Sequence, residues 1–170
     1  MKKEPQESKP SFVYVTYIRT TPEKLWEALT RGDFSEKYWF GYRIESDWKV
    51  GSDFQLHAPK KSDEPKDGQC NKNWNGKVLA YDPYQRLTYT SSLCSDHNAG
   101  EDERHGPTTI TYELKAMGPL VRLRLIHENL MAQDIESDPN VWKGVNNGWP
   151  AVMNSLKSLL ETGQELVYQS

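Results

Sequence analysis

Between Thr108 and Glu128 the side chains alternate cleanly with a period of two, which constrains what the chain can fold into. Ile110, Tyr112 and Leu114 share one side of a first strand, and Val121, Leu123, Leu125 and His127 share one side of a second. Thr109, Thr111, Glu113, Arg122 and Arg124 take the opposite side, with Met117, Gly118 and Pro119 at the turn. A hairpin with one apolar and one charged face has to cover the apolar one.

The cover is encoded at the C-terminal end. Trp149, Val152, Met153, Leu156, Leu159 and Leu160 recur at helical spacing until Thr162 and Gly163 end the run. Trp142 and Val145 extend that stripe upstream, and Pro150 is expected to kink a helix that crosses it. Upstream, Phe12–Ile18 reads as a strand. Thr21 as cap, Pro22 at the first position and Glu23 in the first turn open a helix with Leu25, Trp26 and Leu29 on one face. Gly32 and Asp33 are expected to break it, and residues 34–39 to form a second short helical turn. Residues 43–48 and 52–57 read as a strand pair joined at Lys49, Val50 and Gly51. Residues 76–90 read as a hairpin turning at Asp82 and Pro83. Long polar loops are expected over 58–73 and 93–107.

This order predicts an α+β, helix-grip architecture: a curved antiparallel sheet wrapped around a long C-terminal helix, with two short helices after the first strand. A cavity is expected between sheet and helix. One domain over 12–163 accounts for most of the 170 residues, flanked by a disordered tail over 1–11 and a C-terminal tail over 164–170.

Charge and run lengths remove several function classes. The net charge of −3 comes with no long basic block, so no nucleic-acid partner is expected. No apolar run approaches the roughly 20 residues that span a bilayer. Residues 1–10 lack the apolar core of a secretory signal. Cys70 and Cys94 read as two free thiols, which fits a cytoplasmic protein. Phe12–Ile18, as an edge strand, would offer a route to a homodimer.

Several short motifs, taken in order, resemble one family. They are Trp26-Glu-Ala-Leu-Thr30; Ser46-Asp-Trp-Lys-Val-Gly51; Gly76-Lys-Val78 with Asp82-Pro83 and Arg86-Leu87; and Gly148-Trp149 with Leu156-Lys-Ser-Leu-Leu-Glu161. The sequence is similar to the activator of heat-shock-protein-90 ATPase, C-terminal-domain-like family, within the START-like (SRPBCC) helix-grip superfamily. That resemblance implies an internal cavity for an apolar or amphipathic small molecule. It leaves the chemistry open, because the fold hosts carriers, receptors, polyketide cyclases and co-chaperone modules.

Each candidate residue carries two readings. Trp39, Trp48, Phe54, Tyr89, Tyr112 and Trp149 are expected to wall the cavity, where aromatic rings hold flat ligands; the alternative is ordinary core packing. His127 reads either as a polar contact or general base inside the cavity, or as a strand-end histidine bonded to a loop. Arg86 reads as a structural cation for Asp82 or for turn carbonyls. Cys94 and His97 have zinc-like spacing, with Cys70 and His105 as further ligands. They fall in long loops without paired knuckles and beside the charge run of Asp96, Glu101, Asp102 and Glu103, so no metal is expected. No cofactor or hydrolase motif is recognised.

The resulting expectation is a binding module for a hydrophobic or aromatic small molecule. Two alternatives stand beside it. One is a cyclase/aromatase- or hydrolase-like enzyme with His127 as base; the other is an interaction module that assists a chaperone ATPase.

Overall fold

The computed structural model of the protein describes residues 8–59, 73–93, 107–135 and 145–168. Cys70, Cys94, His97, His105 and Trp142 lie outside the described residues, as do most of the two predicted polar loops.

Alternation becomes sheet as expected. β6 (Thr108–Met117) and β7 (Leu120–Glu128) pair antiparallel, with Ile110 opposite His127, Tyr112 opposite Leu125 and Leu114 opposite Leu123. That register puts Ile110, Tyr112, Leu114, Val121, Leu123 and Leu125 on one face, where all are buried, while Ile126 lies on the other face and Met117 at the turn is exposed. β5 (Arg86–Leu93) and β4 (Trp74–Asp82) extend the sheet, followed by β3 (Asp53–His57) and β2 (Arg43–Ser46). β1 (Phe12–Ile18) adds on the far side of β7, giving the order β1-β7-β6-β5-β4-β3-β2. Gly76 is required where β4 meets β5: a Cβ there would fall 1.7 Å from the Thr90 carbonyl oxygen.

α1 (Pro22–Thr30) starts as the sequence indicates, with the Thr21 hydroxyl accepting from the Lys24 backbone N–H. It ends at Thr30, two residues before the glycine. Arg31 is the single extended residue, and Gly32 is already the first residue of α2 (Gly32–Tyr38). The glycine serves close packing there, since a Cβ would meet Arg43 Cγ at 2.7 Å and the Ile44 carbonyl at 2.8 Å. The buried Ser35 hydroxyl then ties α2 to β2 by accepting from the Ile44 backbone N–H.

A short helix, α3 (Ala132–Ile135), precedes α4 (Val145–Thr162). α4 continues through Pro150, which lies in its second turn. Trp149, Val152, Met153 and Leu156 bury its apolar stripe against α1, α2 and the inner face of the sheet, forming one core. Residues 164–168 run back along α4 without regular structure. Leu166 donates its backbone N–H to Ser155 Oγ, and the Tyr168 hydroxyl donates to the Ala151 carbonyl.

Candidate functional site

Where α4 stands off the sheet, a cavity of about 480 Å³ remains, in the range typical of small-molecule sites. Inward positions of β3, β5, β6 and β7 form its floor and sides. α2 supplies its neighbour Trp39, and α4 supplies Val145, Gly148, Trp149 and Val152.

Five of the seven residues expected at the cavity line it: Trp39, Phe54, Tyr89, His127 and Trp149. Phe54 and Tyr89 lie parallel with ring centroids 3.9 Å apart, and Trp39 meets Trp149 at 5.4 Å. The other two do not line it. β2 stops at Ser46, and Trp48 falls in the following turn with a φ of 54°, which redirects its side chain. Its indole N–H donates to the Thr30 carbonyl at 2.9 Å, and its ring stacks on Tyr81. Tyr112 does point inward but is fully covered, with its hydroxyl 3.3 Å from that of Tyr89. Arg86 pairs with Asp82 at 3.4 Å as a turn staple and does not line the cavity.

His127 faces the cavity. It is 8% exposed, and its two ring nitrogens are engaged by cavity residues. Trp149 Nε1–H, which can only donate, bonds to Nδ1 at 2.9 Å. Nδ1 is therefore the acceptor, and the neutral ring carries its proton on Nε2. That proton is donated to Thr108 Oγ1 at 2.8 Å, and the Thr108 hydroxyl donates onward to the Ser91 carbonyl at 3.0 Å. Four residues on β5, β6, β7 and α4 are thus joined in one directed chain.

Burial raises the phenol groups of Tyr38, Tyr89 and Tyr112 far above their usual ionisation range, so all three are neutral hydroxyls. Burial also raises Tyr42 at the cavity wall. The described wall of the cavity is therefore mostly apolar and aromatic, with a few neutral polar groups and one carboxylate, Asp134. Among the described residues no group of His, Cys, Asp and Glu could hold a metal ion.

Sequence reasoning missed Ser91 and Thr108. Both lie on inward strand positions, in step with Tyr89 and Ile110, so a small hydroxyl in an apolar row was the available signal. Phe40, Tyr42, Leu56 and Trp74 also line the cavity and were not anticipated. Phe40 takes a φ of 51° after α2, a local feature that pattern reading does not reveal.

A protein from Cytophaga hutchinsonii matches with a TM-score of 0.66 at 24% identity, covering 91% of this chain and 96% of that one. The Aha1 dimer from Colwellia psychrerythraea matches with a TM-score of 0.62 at 21% identity, covering 91% and 98%. An HSP90 activator from Plasmodium falciparum matches with a TM-score of 0.59 at 21% identity, covering 88% and 92%. At these identities the likeness speaks for the fold alone. A search of curated proteins gives no significant match. The sequence profile described as "Activator of Hsp90 ATPase homolog 1-like protein" matches residues 19–161, nearly the whole domain, and the chain belongs to that family.

Proposed function

We propose that the protein is a non-catalytic binding module that holds a hydrophobic or aromatic small molecule between the sheet and α4. The observation that carries this reading is the cavity of about 480 Å³ walled by Trp39, Phe54, Tyr89 and Trp149. Enclosing a flat ligand there would remove apolar surface from water on both partners, at about 25 cal/mol per Å². An enzymatic reading with His127 as base draws no support, because its Nδ1 lone pair accepts from Trp149 and its Nε2 holds the proton. A cytoplasmic location belongs to the same proposal and rests on the two cysteines alone.

Native mass spectrometry of freshly purified protein, repeated under denaturing conditions, tests it. A small mass present natively and released on unfolding is the expected result. An apo mass that persists after incubation with a panel of aromatic compounds contradicts the reading.

A second reading follows from the family and from the relatives' names: assistance to an Hsp90-type ATPase. Stimulation of that ATPase by the purified protein would favour it, and an unchanged rate with no complex on a sizing column would remove it. For assembly we propose a second copy as partner, meeting at the β1 edge. Val13, Val15 and Tyr17 are each close to half exposed there, and the Colwellia relative was solved as a dimer. Light scattering reading the monomer mass at all concentrations would sink this assembly.

A further inference from the structure

The polar groups that face the cavity differ in what they have left to offer. Thr108 Oγ1 accepts from His127 Nε2–H and sends its own proton to the Ser91 carbonyl. The relay that begins at Trp149 thereby turns Thr108 into an acceptor, with one lone pair unused and no proton for a ligand. Ser91 lies directly opposite Thr108 across the β5–β6 ladder, is 4% exposed, and lines the cavity. Its hydroxyl has no hydrogen-bond partner among the described residues, so it can both donate and accept.

Positive charge is missing from the described part of the same wall. Among the described residues no Lys or Arg lines the cavity, and His127 is held in its neutral form. Asp134 is the one carboxylate that does, and it accepts from the Met131 backbone N–H at the start of α3. An anionic ligand would shed its hydration shell and meet no cation among the described residues, which disfavours it.

We propose that the cavity selects neutral aromatic molecules bearing one hydroxyl, bound so that the ligand oxygen accepts from Ser91 and its proton goes to Thr108. This rests on the binding-module reading above and narrows its ligand class. A carbonyl of similar shape would satisfy Ser91 alone. An ionised carboxylate would satisfy neither the acceptor on Thr108 nor its own charge.

The test follows the indole N–H signals of Trp39 and Trp149 in ¹H–¹⁵N spectra while titrating 2-naphthol, 2-naphthoate, a naphthyl trimethylammonium cation and 2-methylnaphthalene at neutral pH. The expected result is saturable binding of 2-naphthol, with 2-naphthoate weaker by at least about 100-fold. Ser91→Ala should weaken 2-naphthol by about 3- to 10-fold and leave the hydrocarbon unchanged. Equal or tighter binding of the carboxylate or the cation overturns the proposal while the cavity reading stands. So does a Ser91→Ala variant that binds 2-naphthol as the wild type does. If neither 2-naphthol nor the hydrocarbon moves either indole, the binding-module reading fails and the proposal fails with it.

Discussion

Two neighbouring aromatic clusters use the same residue types and end in different states. Around the β4–β5 turn, Trp26, Trp48, Tyr81 and Tyr84 close on one another. The Trp26 indole donates to the Tyr81 hydroxyl at 3.3 Å, and Trp48 stacks on Tyr81 and donates to Thr30. Around the cavity, Trp39, Phe54, Tyr89 and Trp149 also touch in pairs, yet their rings border open space and a buried hydroxyl with capacity to spare. The difference teaches that aromatic density does not mark a site. What marks one is a void in the ring packing together with a polar group left unfinished beside it.

The comparison can be broken most severely at Trp26. It is 4% exposed in the closed cluster, so Trp26→Ala should cost about 3–5 kcal/mol in urea denaturation. Ligand affinity of whatever fraction stays folded should hardly change. A variant that keeps its stability but loses ligand would reverse the roles assigned to the two clusters.

Trp149→Phe acts on the other cluster with a smaller effect. It keeps an aromatic ring but removes the indole N–H from which His127 Nδ1 accepts, at a cost of about 1–3 kcal/mol. Affinity for a hydroxyl-bearing ligand should fall as well, because Thr108 loses its fixed orientation. An unchanged affinity, measured by titration calorimetry, would detach the relay from binding.

Gly148 sharpens the contrast almost without disturbing the fold. It lies on α4 at the cavity wall, and apart from its chain neighbours and the helix backbone no described atom is within 4 Å of where its Cβ would be. Gly148→Leu should therefore occupy the void, abolish ligand binding and raise stability by up to about 1 kcal/mol through helix propensity. Thermal unfolding with and without ligand reads both effects, and a ligand-induced shift that survives the substitution would place the site elsewhere.

The smallest effect lies outside both clusters, at the C-terminal end of α4. Glu161 accepts the Arg19 backbone N–H and then pairs with Lys157, which hold its carboxyl below the usual carboxylate range. Its folded state thus favours the ionised form. The stability it contributes is present above the ordinary carboxylate value and is lost as pH falls through the lowered one. Glu161→Gln should cost under about 1 kcal/mol near neutrality. The gap from wild type should shrink on acidification in denaturation curves, and a gap that widens toward low pH would contradict the assignment.

Much of the frame was legible because period-two and helical spacing are long-range signals repeated many times. Ile110, Tyr112, Leu123 and Leu125 are buried as their alternation requires, and Trp149 to Leu156 grip the sheet as their spacing indicates. The site was less legible, since it depends on single torsions and on depth. One positive φ at Trp48 carries that ring to the closed cluster. Tyr89 and Tyr112 share the inner face on adjacent strands, yet only Tyr89 reaches the cavity. His127 was visible as an inward polar residue, but its tautomer depends on Thr108 and Trp149, which lie 19 and 22 positions away. Spacing along a chain carries no information about such a meeting.

The central claim is that the space beside Gly148 holds a small molecule. Native mass spectrometry of wild type and Gly148→Leu, purified side by side and incubated with 2-naphthol, tests it most directly. The account predicts a stoichiometric adduct on the wild type that is absent from a folded Gly148→Leu protein. An adduct of equal abundance on both, or on neither, would contradict it.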